Sequence, residues 1–206
     1  DKRKVTASTY EILVDGAKAE SCIVTTPYEN LHILPSSLDL AAAELEISDK
    51  KGRESILKNA LLPIKQYYDY IIIDCPPSLG LITTNALTAS DTFLVPIQCE
   101  YYALEGLTQL MSTVRRIKRQ YNNTIDIEGV LLTMYDGRLN LTQQVVEEVK
   151  KFFPRKVFKT VIPRGVRLSE APSFGMPVIY YDKNCKGSIT YTELAKEIIA
   201  KERNYE

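Results

Sequence analysis

The chain has 206 residues, 45% of them hydrophobic and 25% charged, the make-up of a globular protein able to bury a sizeable core. Twenty-six Lys and Arg balance 26 Asp and Glu, so the formal net charge is zero and any contact with nucleic acid has to come from a local patch. Apolar runs all fall short of the roughly 18 residues of a membrane span, and no signal-peptide pattern opens the chain.

Apolar runs alternate with helix-period patterns, which predicts one α/β domain over residues 1–206, a mostly parallel sheet with flanking helices. The polar opening from Asp1 to Thr6, without a Met, reads as a cut inside a longer protein. Ser8 and Glu11 stand at capping-box spacing and Gly16 supplies a stop, so a short helix is expected over Thr9–Asp15. Leu31–Leu34 reads as a strand and Leu38–Ile47 as a helix. Tyr70–Asp74 is apolar until its last residue, the pattern of a strand buried on both faces. Leu81–Ala89 should be a helix and Thr92–Ile97 the next strand.

Leu104, Leu107, Leu110, Met111, Val114, Ile117 and Tyr121 then share one helical face. Arg115, Arg116, Lys118 and Arg119 occupy the other side and read first as a solvated face. Ile127–Thr133 is another strand, and Leu141, Val145, Val149 and Phe152 stripe the helix after it. Lys156–Ile162 reads as a further strand, and Tyr191, Leu194, Ala195, Ile198 and Ile199 mark a C-terminal amphipathic helix. Cys22, Cys75, Cys99 and Cys185 lie far apart with no CxxC pair, which argues against zinc and for reduced thiols, and so sets the expectation of a cytoplasmic protein. The only histidine, His32, is expected at a half-buried strand position, so a histidine-based triad or metal site is nearly excluded.

Chemistry concentrates in Tyr70-Ile71-Ile72-Ile73-Asp74-Cys75-Pro76-Pro77. A carboxylate ending an apolar strand would sit at the carboxyl edge of the sheet, where open α/β folds bind ligands. Such an Asp can hold a Mg²⁺ shell through water, while the two prolines fix an extended exit and remove two backbone donors. The plain alternative is a strand-end Asp that caps the following helix.

Asp74-Cys75-Pro76-Pro77-Ser78 resembles the Walker B segment of ParA, Soj and MinD-type ATPases. Gln98-Cys99-Glu100-Tyr101-Tyr102-Ala103-Leu104-Glu105-Gly106 is similar to the stretch after the next strand in chromosomal ParA proteins. Leu132–Arg138 and Ile162–Gly175 match two more blocks of that family, so the resemblance runs from Thr9 to Lys201.

The resemblance implies a deviant Walker A P-loop NTPase fold of the MinD type, here without its first strand and P-loop. It implies Asp74 as the carboxylate organising Mg²⁺, and Met134 at the strand end that contacts the adenine of ATP. Pro163 and Arg164 match the loop closing over the base. Arg138 and Arg167 match two arginines that contact DNA phosphates without reading sequence. The turn at Asp136-Gly137 and an irregular loop around Arg167 would bring both to solvent. The implied partners are a second copy of the chain, non-specific double-stranded DNA and a ParB-type protein that stimulates hydrolysis. The implied place is the nucleoid.

None of the nine glycines is followed by Lys, so the sequence holds no GxxxxGK[ST] motif. That motif supplies the backbone N–H groups and the lysine that cradle phosphates. The chain alone is therefore expected to hydrolyse no ATP. The other readings are a MinD-like membrane-associated regulator, which the mixed-charge end Lys201–Glu206 does not favour, and a nucleotide-free interaction module.

Overall fold

Ser8 opens the first helix as its spacing predicts: the hydroxyl accepts the Tyr10 N–H at 3.1 Å, and the Ser8 N–H donates to the Glu11 carboxylate at 2.6 Å. The computed structural model describes residues 5–100 and 103–202, and only the backbone of 103–105 and 202. In chain order come α1 (Thr9–Val14), α2 (Ala19–Cys22), β1 (Val24–Thr25), β2 (His32–Ile33), α3 (Leu40–Glu46), α4 (Ile56–Leu61) and α5 (Leu81–Ala89). They are followed by β3 (Thr92–Gln98), α6 (Ala103–Gln120), β4 (Asp126–Thr133), α7 (Asn140–Phe152), α8 (Val166–Glu170), α9 (Val178–Tyr181) and α10 (Lys186–Glu202). The chain gathers into two compact units, Asp1–Asp91 with Leu110–Ile125, and Thr92–Gln109 with Asp126–Glu206.

The first unit is built on helices around Ile12, Leu13, Ala19, Cys22, Leu57, Leu61 and Ile64. Its pivot is Asn85 on α5, which is 0% exposed. The Asn85 Nδ2 donates to the carbonyls of Arg53 (2.7 Å) and Leu81 (3.1 Å), and Oδ1 accepts the Leu57 N–H at 3.1 Å. Leu57 lies in the first turn of α4, where an N–H has no partner inside its own helix, so Asn85 caps α4 from a neighbouring element. Asn85→Ala leaves a buried donor and acceptor unpaired and opens a void, at an expected cost of about 2–4 kcal/mol. A fall in the urea midpoint at unchanged m-value measures it; an unchanged midpoint contradicts the bracing role.

Tyr70–Asp74 is not the expected buried strand. Ile71 is 39% and Ile72 91% exposed, and only Ile73 packs partly against the first core. A strand exists only through its neighbours, and no ladder among the described residues pairs with this segment, so its apolar side chains lie open. His32 also departs from expectation. It is exposed on a two-residue strand paired antiparallel with β1, its Nδ1 3.0 Å from the Tyr68 hydroxyl.

In the second unit β3 and β4 pair in parallel from Thr92↔Asp126 to Gln98↔Thr133. Pro96 within β3 cannot donate to a ladder, which suits a strand with an open side. Gly129 in β4 is required by a close approach, since a Cβ there would run into the Phe158 ring. The expected strand Lys156–Ile162 bonds to β4 only near its two ends, at the bridge Val130↔Val157 and through the Ile162 N–H to the Leu132 carbonyl (2.9 Å), and the bridge Tyr135↔Pro163 follows beyond both. Between them the backbone N–H groups of Lys159 (2.8 Å) and Thr160 (3.0 Å) donate to the Glu197 carboxylate of α10, so no continuous ladder forms.

Two helices bury narrower stripes than expected. On α7 the buried residues are Thr142, Val145 and Val149, with Leu141 and Phe152 exposed. On α10 Leu194 and Ile198 reach the core formed with Leu131, Phe158 and Ile162, while Tyr191, Ala195 and Ile199 face solvent. On α6 Leu107, Val114 and Ile117 are buried. All four cysteines are free thiols.

Candidate functional site

Three parallel segments of the second unit end at one edge. At the end of β3 the Cys99 N–H donates to the Thr133 carbonyl at 3.1 Å, which keeps Glu100 beside the exit of β4. At that exit Met134 adopts φ +52°, a left-handed conformation rare for a residue with a side chain. The backbone then rejoins its neighbour: the Tyr135 N–H donates to the Ile162 carbonyl (3.1 Å), and the Arg164 N–H to the Tyr135 carbonyl (3.4 Å). Met134 is thereby pushed out of the ladder and is 39% exposed, whereas Pro163 is buried. Strained backbone held by such surroundings tends to mark ligand sites. Met134, Pro163 and Arg164 are thus brought together at the carboxyl edge, where ligands of open α/β folds bind.

Each arginine singled out from the sequence is exposed and already holds a carboxylate. Arg164 Nη2 lies 2.9 Å from Glu100 Oε1. Arg138 grips Asp136 in a fork, Nε to Oδ1 at 2.9 Å and Nη2 to Oδ2 at 2.7 Å. Arg167 lies within the short helix α8, not in an irregular loop, and contacts Glu170 at 2.8 Å and Asp182 at 3.5 Å. The Arg138 hydrogen bonds hold the Asp136 carboxyl down at about 2. A depressed carboxyl favours the fold above the unfolded aspartate pKa and loses that contribution as pH falls through the folded value. In an Arg138→Ala chain the Asp136 carboxyl should rise toward the ordinary aspartate range, held partly down by the backbone N–H of residue 138 and by Arg164. Carboxyl NMR titration reads this directly, and an unmoved Asp136 contradicts the pairing.

Asp74 stands in the first unit, exposed, on the segment that runs through Pro76 and Pro77 to the start of α5. The capping alternative is not realised: the α5 N-terminus is served by Glu44, whose Oε1 accepts the Ile82 N–H at 3.0 Å. The Asp74 carboxylate is therefore open to a ligand. Among the described residues no three His, Cys, Asp or Glu cluster as a metal site. A lone carboxylate suits Mg²⁺, which takes one or two carboxylates and completes its shell from phosphates and water.

Sequence reasoning missed the partners Asp136, Glu170 and Glu100. The first two carried a local signal, an Asp-Gly-Arg turn and an Arg three residues before Glu on a helix. Glu100 and Arg164 are 64 residues apart, and only the parallel register brings them together.

The layout, strands ending at one edge with helices between them, is the α/β fold of P-loop ATPases. A family model described as AAA domain matches residues 1–127. The chain is similar to the sporulation initiation inhibitor protein Soj of Bacillus subtilis, 57% identical over 200 residues, 97% of this chain and 79% of that protein. It is similar to the chromosome-partitioning ATPase Soj of Treponema pallidum, 47% identical over 195 residues, 95% of this chain and 77% of that protein. Among solved structures it is similar to cobyrinic acid a,c-diamide synthase from Mycobacterium smegmatis with bound ATP analog and magnesium. That match has a TM-score of 0.80 at 33% identity and covers 95% of this chain and 72% of the other. The chain belongs to the ParA/Soj family of chromosome-partitioning ATPases. No helix among its described residues is long and apolar enough to cross a membrane.

Proposed function

We propose that this chain is the base- and DNA-contacting part of an ATPase that moves replicated DNA apart. Its ATP-bound dimer binds double-stranded DNA without reading sequence, and hydrolysis, stimulated by a ParB-type partner, releases it. The observation that carries this reading is the carboxyl edge of the second unit, where a strained Met134, Pro163 and Arg164 meet. The exposed Met134 thioether offers apolar contact to an adenine, whereas Pro163 is buried and would contact the base only after its loop shifts. Asp74 would steady a water-bound Mg²⁺, and the ion would offset phosphate charge. Arg138 and Arg167 would exchange their carboxylates for DNA phosphates.

The sequence holds no Gly-Lys pair and hence no GxxxxGK[ST] phosphate cradle. Tests with nucleotide accordingly use the longer protein expected from the sequence. Replacing Arg138 and Arg167 by Glu in that protein should remove DNA binding and leave nucleotide binding in place. Unchanged DNA affinity would overturn the DNA role.

A further inference from the structure

Both arginines assigned to DNA hold carboxylates, while a second group of cations holds none among the described residues. Arg115, Arg116, Lys118 and Arg119 on α6 are exposed, and none forms an ion pair with a described carboxylate. One carboxylate, Glu54, shares a cleft of about 430 Å³ with Arg116, Gln120 and Tyr121. It is taken by Arg53 at 3.3 Å and the Tyr121 hydroxyl at 3.4 Å. In a chain of zero net charge, four uncompensated positive charges within five residues form a local electropositive ridge.

A solvated helix end accounts for only part of this ridge. The helix dipole favours cations in the last turn, which holds Lys118 and Arg119. Arg115 and Arg116 lie before that turn. The buried Val114 and Ile117 fix the opposite side of α6, so the cations project from a rigid element.

We propose that this α6 ridge is a second contact for the DNA backbone; the inference rests on the DNA-binding reading above. Five helical residues span about 6–7 Å, and a duplex presents one negative charge per about 1.7 Å of axis, so the charge densities match. Lipid is the weaker fit, because a membrane-surface helix needs several bulky apolar residues beside its cations and among the described residues here Tyr121 alone is an exposed large hydrophobic. Unpaired cations meet phosphate with no carboxylate to displace, so the ridge engages before Arg138 and Arg167 exchange partners.

The test is DNA affinity against salt for the longer protein with ATP and Mg²⁺, using duplexes of two unrelated sequences. R115Q/R116Q/K118Q/R119Q should lower affinity at least tenfold on both duplexes and reduce the salt slope by roughly 0.9 for each phosphate left unneutralised. The triple Lys variant R115K/R116K/R119K should retain most of the binding, which a packing role for arginine would not allow. Should the quadruple variant not fold, R115Q/R119Q gives the same reading with half the change. Parent protein that binds DNA, with an unchanged slope in the Gln variants, overturns the ridge and leaves the Arg138 and Arg167 reading intact. Parent protein that binds no DNA overturns both. Loss of binding to phosphatidylglycerol vesicles with DNA affinity unchanged would make the ridge a membrane surface and also overturn the inference.

Discussion

Magnesium-dependent ATP turnover in the longer protein should fall by roughly 10²–10³-fold when Asp74 is replaced by Ala. Asp74 is exposed, its segment leads through two prolines to α5, and Glu44 relieves it of any capping duty there. Its charge is thus free to act on an ion. Phosphoryl transfer leaves little covalent work to the protein, so loss of one charge that positions the metal acts on the rate itself. Asp74→Asn keeps the shape and loses the charge, and it should behave like Ala if charge is what matters. The 206-residue chain by itself, with no Gly-Lys pair to cradle phosphates, should show no turnover. Phosphate release measures both, and undiminished turnover in Asp74→Ala, or real turnover by the chain alone, contradicts the assignment.

DNA affinity should fall at least about a hundredfold in Arg138→Glu/Arg167→Glu, with the salt slope reduced by roughly 3–4 in a dimer that doubles both contacts. The reversal removes two cations per protomer and also frees Asp136, Glu170 and Asp182, which then repel phosphate. The affected residues belong to a turn and a short helix, so the fold should survive. Nucleotide affinity is the control, since Met134 and Pro163 are untouched. Equal losses of nucleotide and DNA binding would mean that the substitutions damaged the fold.

The layout of the second unit was legible because its signals are local. β3, β4 and α7 follow from their apolar periods, and in the first unit the Ser8 capping box needs four residues only. Tyr70–Asp74 misled because an apolar run reports a tendency toward burial, while a strand also needs a neighbour to hydrogen-bond along it. Lys156–Ile162 failed for a related reason, with a glutamate 38 residues away from Lys159 taking the N–H groups a ladder would have used. At the candidate site, residue identities came from motifs, whereas their electrostatic state did not. Motifs found Arg138, Arg164 and Arg167; only the folded chain gives each a carboxylate and leaves the α6 cations without one among the described residues.

The most direct measurement is retention of the longer protein on immobilised random-sequence DNA while nucleotide is changed. A nucleotide-gated DNA clamp predicts firm retention with ATP and Mg²⁺, release on hydrolysis and weak retention with ADP. Equal retention with ATP, ADP and no nucleotide would contradict it.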